Sequence, residues 1–195
     1  IIDPVTLSQN AIIRDALAMM KEFKIGGIPI VDEDGVLNGI LTERDVLKIL
    51  CRSHAATPVE SVMTRSLLVQ QPDCPLSTVT KVMTEHQFRR LPIVKNDVLF
   101  GIITATDIVR YIGTGRVFEK LVTGDVAEVM NIPVRDLLSG NLFTTDPDAT
   151  VTDAARAMMA KKVGALPVID QSRLVGLITE FDLVRAFSPV NGDRR

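Results

Sequence analysis

Cysteine, histidine, excess basic charge and long apolar runs are all scarce in this 195-residue chain. Its two cysteines, Cys51 and Cys74, are too few for a disulfide framework and are not spaced as metal ligands. Two free thiols fit a reducing compartment. The two histidines, His54 and His86, fall on a connector and at a helix end, without a repeated partner. Cys51 and His54 lie three apart but lack any nucleophile context. There is no P-loop and no Gly-x-Gly-x-x-Gly. Lys plus Arg number 22 against 24 Asp plus Glu, with no basic cluster, which argues against duplex nucleic acid as a partner. Apolar runs such as "VGLIT" and "LPIV" fall far short of the roughly 20 residues a membrane helix needs. No charged-apolar-small leader opens the chain. The expectation is a cytoplasmic, non-catalytic protein whose partners include neither nucleic acid nor membrane.

What the chain does have is a thrice-written phrase. "GILTERD" at 39–45 returns as "GIITATD" at 101–107 and "GLITEFD" at 176–182. Gly39, Gly101 and Gly176 sit at intervals of 62 and 75, and Thr42, Thr104, Thr179 and Asp45, Asp107, Asp182 keep the same intervals. Pro29, Pro92 and Pro167 follow with a slip of one residue, explained by a shorter second turn. A chance motif would not carry its flanks along, so the chain is a three-fold internal duplication. Each unit reads as an extended segment ("PVTL", "SLLV", "LFTT"), then a helix with apolar residues at helical spacing, then a strand, a polar turn and a second strand. A last helix starts at the Thr. The order is β-α-β-β-α, an α+β fold.

Units this small are marginal alone, and two stacked through their sheets would share a core. The reading divides the chain into a first repeat at 1–52, a second at 58–112 that pairs with the first, a linker at 113–132, and a third repeat at 133–188. Val117, Phe118, Leu121 and Val122 suggest that the linker is helical. The second and third repeats open with leads, "PVESVMT" and "PVRDLLS", that the first lacks. The third repeat, left over, is expected to find its partner in a missing repeat or in a second chain as a homodimer.

The Thr-x-x-Asp element has two readings. A Thr followed three residues later by an acid at a strand-to-helix junction is a capping-box pattern. The same geometry serves a ligand: helix N–H groups and the hydroxyls of Thr42, Thr104 and Thr179 suit a phosphate. The carboxylates of Asp45, Asp107 and Asp182 can accept two hydrogen bonds from a ribose diol. A cap has no need of Asp in particular, and Asp in all three copies speaks for ribose. Cations for the phosphate are Arg44, inside the first motif, and Arg89 and Arg90, ahead of the second Pro. An apolar slot for a base would draw on Gly27, Ile28 and Pro29, on Leu91 and Pro92, and on Leu166 and Pro167, faced by Val5, Thr6, Leu68, Val69, Phe143 and Thr144. For the side chains of Ile28, Leu91 and Leu166, a core position is the better reading.

These residues resemble the CBS domain, named from cystathionine beta-synthase. Its signature is an apolar-Pro-apolar-apolar strand, an acidic turn, Gly-apolar-apolar-Thr/Ser and x-x-Asp. All three repeats match, and "ALAMMKEFKIGGIPIVDEDGVLNGILTERD" is similar to the CBS insert of inosine monophosphate dehydrogenase. The resemblance implies tandem CBS repeats paired through their sheets into Bateman-type modules. It further implies no obligatory cofactor, and a regulatory ligand that is AMP, ADP, ATP or S-adenosylmethionine, with Asp on the ribose, Thr near phosphate and main-chain groups reading the adenine. Glu43 and Glu180 stand inside the first and third motifs, whereas the second has Ala105 and Thr106. The second site is therefore expected to accept a polyphosphate most easily.

Overall fold

The computed structural model describes residues 4–52, 56–138 and 140–187. It falls into two compact units that do not follow the repeats. The first takes in the chain up to Thr64, Thr145–Val168 and the residues from Leu177 on. The second takes in Arg65–Thr144 and Ile169–Gly176.

In the first unit, β1 (Leu7–Ser8) is followed by α1 (Ile13–Phe23), β2 (Gly27–Val31), β3 (Leu37–Thr42) and α2 (Glu43–Leu50). Ala16, Leu17 and Met20 recur on one face of α1 and are buried, as a 3.6-residue period requires of an amphipathic helix. β1 runs parallel to β2, with Leu7 opposite Ile30. β2 and β3 are antiparallel, with Gly27 opposite Thr42. This register sets the motif Thr at the mouth of the hairpin, level with the chain that leaves α1. The same unit holds most of the third repeat: α7 (Val151–Lys161) and α8 (Glu180–Phe187). α2 packs on both α7 and α8, and α1 packs on α8. Leu47, Met158 and Leu183 are fully buried, each stabilising by about 1.5–3 kcal/mol. The third repeat, expected to look outside the chain for a partner, thus packs its helices on those of the first. Sequence alone could not pair them, because three near-identical apolar stripes do not say which meets which.

In the second unit, α3 (Leu76–Glu85) leads to β4 (Arg90–Lys95), β5 (Val98–Thr104) and α4 (Ala105–Ile112). The β4–β5 register places Arg90 opposite Thr104, repeating the first hairpin. Asn96 and Asp97 turn it with φ of 52° and 63°, a type I′ pattern that Asn and Asp tolerate. Leu76, Val79, Met83, Leu91, Ile93, Ile103, Ile108 and Val134 form one core. α5 (Gly115–Thr123) and α6 (Val126–Met130) occupy the segment read as a helical linker, and no α5 residue is buried. The third hairpin is β6 (Ala165–Asp170) with β7 (Arg173–Thr179).

The opening strands are shorter than expected. "LFTT" reduces to a single parallel bridge, Thr145 to Val168, and "SLLV" itself pairs with nothing among the described residues, the one parallel bridge falling on the next residue, Gln70 to Ile93. Each is an edge segment that soon turns at a proline, Pro72 or Pro147, and proline cannot extend a ladder.

Candidate nucleotide site at the hairpin mouths

Each motif Thr ends a strand and begins a helix with extended backbone, φ −122° at Thr42 and −120° at Thr104. That conformation lets the side chain fold back over the first turn. The three Asp residues answer in the same way. Asp45 Oδ2 accepts from the Thr42 amide at 3.0 Å and from its hydroxyl at 2.7 Å. Asp107 Oδ2 accepts from Thr104 at 2.9 and 2.5 Å, and Asp182 Oδ2 from Thr179 at 2.9 and 2.7 Å. In return the Asp107 and Asp182 amides donate to Thr104 Oγ1 and Thr179 Oγ1, both at 3.2 Å. The capping reading is therefore realised in every repeat, and one oxygen of each carboxylate is committed to it.

The first amide of each helix is also taken. Glu43, Ala105 and Glu180 donate their N–H to the carbonyls of Gly26, Arg89 and Gly164 at 3.0, 2.9 and 3.1 Å. These acceptors went unseen in the sequence because main-chain carbonyls carry no residue signature.

The second carboxylate oxygens differ. Asp45 Oδ1 holds Lys48 at 2.8 Å, and Asp107 Oδ1 holds Arg110 at 3.3 Å. Lys48 and the Thr42 bonds pull the Asp45 carboxyl down to a pKa of about 2. Asp182 is buried, and among the described residues its Oδ1 has no hydrogen bond or ion pair. Lys48 and Arg110 were legible as bases three residues beyond the acid, a spacing that brings helical side chains together.

Arg44 does not stand open to a phosphate. It pairs with Glu180 Oε1 at 2.8 Å and reaches the Val163 carbonyl at 3.4 Å, tying the first motif to the third inside one unit. Arg89 is exposed and its guanidinium makes no ion pair among the described residues. Arg90 is half-buried in β4.

Ile28, Leu91 and Leu166 are 0–1% exposed and Pro92 and Pro167 are buried, so what these five offer a base is main chain. Gly27 and Pro29 are half-buried. The parallel registers, continued two residues back, set Val5 level with Ile28 and Leu68 level with Leu91. Val5, Thr6 and Phe143 are half-buried, and Leu68, Val69 and Thr144 are exposed.

Cys51 and Cys74 are free thiols, and burial raises the pKa of both. His54 lies outside the described residues. His86 stacks on Phe88, ring centres 5.5 Å apart. Among the described residues no group of three or more His, Cys, Asp or Glu could hold a metal, and no helix is long and apolar enough to cross a membrane.

The CBS domain profile matches residues 1–52, 59–114 and 134–189. The chain belongs to the CBS domain family. Protein MJ1225 of Methanocaldococcus jannaschii is 33% identical over 186 residues, 94% of this chain and 66% of that one. Its crystal structure superposes with a TM-score of 0.87, covering 95% of this chain and 67% of that one. The chain thus spans about two thirds of this relative. Inosine-5'-monophosphate dehydrogenase of Helicobacter pylori is 32% identical over 182 residues, 90% of this chain but 36% of the enzyme. CBSX2, crystallised in complex with AMP, shares the fold with a TM-score of 0.55 and 22% identity, over 67% of this chain and 95% of its own.

Proposed function

We propose that this CBS protein is a non-catalytic regulatory module that binds an adenosine-containing ligand and signals by a change in packing. The observation that carries the reading is the three-fold Asp at the hairpin mouth, each with one oxygen turned away from its cap. A ribose diol would take that oxygen. At the third repeat it is Asp182 Oδ1, which needs no displacement. At the first and second repeats the sugar would displace Lys48 or Arg110, whose ion pairs are exposed and weak. Phosphate would meet the positive end of the helix that begins at the motif Thr, with Arg89 as the cation at the second repeat. Backbone groups at Gly27, Pro92 and Pro167 would read the base. The AMP complex of CBSX2 supports this ligand class. A ligand can shift the packing only by its differential affinity for two arrangements, and the Arg44–Glu180 pair is one contact that an incoming phosphate would compete for.

A second reading, a structural module without ligand, is favoured by one observation: the capping boxes already employ the Thr hydroxyls and one oxygen of every Asp. Thermal unfolding with AMP, ATP and S-adenosylmethionine separates the two. A ligand at 100 times its dissociation constant should stabilise by about 2.7 kcal/mol. Asp182→Ala should lower stability without ligand, by loss of its cap bonds, and should also remove the ligand-dependent increment of the third site. No increment with any of the three ligands would leave the structural reading standing.

A further inference from the structure

The leads of the second and third repeats are exchanged. In the second unit, the third repeat's lead, with a 3-10 turn at Val134–Leu137, lies on the second repeat. Leu76 N–H donates to Ile132 O, Val134 N–H to Cys74 O and Arg135 N–H to Pro72 O, at 2.9–3.0 Å. In the first unit, the second repeat's lead, with a turn at Val59–Ser61, lies on the third repeat. Val151 N–H donates to Thr57 O, Val59 N–H to Ala149 O and Glu60 N–H to Pro147 O, at 2.8–2.9 Å. The two sets are the same three bonds shifted by 75 residues. In both, the lead's valine, Val134 or Val59, is 0% exposed. The lead then reaches the second hairpin strand: Leu138 packs over Gly101, and Thr64 bridges Leu177.

The first repeat has the matching receptor, and among the described residues no lead lies on it. The counterparts of Pro72, Cys74 and Leu76 are Gln9, Ala11 and Ile13, and the counterparts of Gly101 and Ile102 are Gly39 and Ile40. These five residues line a cleft of about 410 Å³. Ile13 is 41% exposed where Leu76 and Val151 are 0% and 1%, and Ile40 is 65% exposed where Leu177 is 7%. Gly39 has open space where Gly101 meets Leu138. Both leads among the described residues are seated elsewhere.

We infer that this cleft receives the lead of a further CBS repeat, lying outside these 195 residues, with the pattern Pro-Val-x-x-apolar-apolar. MJ1225 carries about another third of chain beyond the matched part, room enough for a repeat of this size. The Val of that lead enters beside Ile13; the carbonyl two residues before it accepts from Ile13 N–H, the Val amide and the next amide donate to Ala11 O and Gln9 O, and the lead's last apolar residue covers Gly39. The inference is independent of any nucleotide.

The test uses the 195-residue protein and a peptide of residues 56–65, with a control peptide carrying Val59→Asp. Backbone NMR should show saturable shifts at Ile13, Gly39 and Ile40 with the first peptide and at least tenfold weaker binding of the control. Gly39→Leu, which fills the cleft, should abolish the shifts while leaving the spectrum of the second unit intact. Four results overturn the inference: no shifts at the cleft, equal binding of both peptides, shifts that survive Gly39→Leu, or shifts confined to Cys74 and Ala149. Concentration-dependent dimerisation abolished by Ile40→Lys, with no peptide binding, assigns the cleft to a second copy and likewise overturns it.

Discussion

Asp45 ties the chemistry of a single carboxyl to acid stability. Its folded pKa, about 2, lies below the ordinary 3.8 because Lys48 and Thr42 favour the charged form. A depressed value means that the folded state holds its proton less readily than the unfolded chain. The contribution is therefore complete above about pH 4 and is lost as pH falls through about 2. Asp45→Asn should flatten the acid limb: in urea unfolding, its midpoint should drop less between about pH 4 and pH 2 than that of the parent protein. The Asp was legible as both cap and ligand group, since one residue type serves both. What sequence could not divide was the two oxygens. That Oδ2 goes to the cap while Oδ1 faces Lys48, Arg110 or no described partner depends on a rotamer, which a residue letter does not carry.

At the scale of the element, the three first helices end alike. Lys24, Gln87 and Lys162 adopt left-handed backbone, φ 52°, 55° and 56°, where a Cβ costs about 1–2 kcal/mol and glycine is the usual occupant. Gln87→Gly and Lys162→Gly should each raise the melting temperature, by about 0.5–1 kcal/mol in stability after the entropy of glycine is deducted. The hairpins offer a paired contrast. A Cβ on Gly101 would lie 2.7 Å from Leu138 Cδ1, whereas Gly39 meets nothing within 4 Å. Gly101→Val should destabilise by about 1–3 kcal/mol through overpacking. Gly39→Val should change stability by less than about 0.5 kcal/mol, both read by denaturant unfolding. The helices, hairpins and polar turns were written plainly in the periodicity and the repeated Pro, Gly and Thr. The opening strands were over-read, because "SLLV" and "LFTT" have strand composition, yet the second repeat bridges a neighbour only at Gln70, just past "SLLV", and the third only at Thr145.

At the scale of the molecule, the first and third repeats meet through helices in one unit, with Arg44 and Glu180 joined across them. Arg44 is 39% exposed and Glu180 14%, so solvent screens the pair and a double-mutant cycle of Arg44→Ala and Glu180→Ala should return a coupling of about 0.2–1 kcal/mol. The number and order of repeats were legible; which repeat seats which lead was not, since the receptor residues Ala11, Cys74 and Ala149 act through carbonyls. One consequence concerns where such a chain can be cut. Family boundaries at residues 59 and 134 run through or beside the strips Thr57–Thr64 and Ile132–Leu138, which finish the neighbour and not the repeat they introduce. A single repeat excised at those limits would bring along a strip it cannot use and forfeit the one it requires. Reciprocal giving of this sort closes only in pairs, and so favours an even tally of repeats.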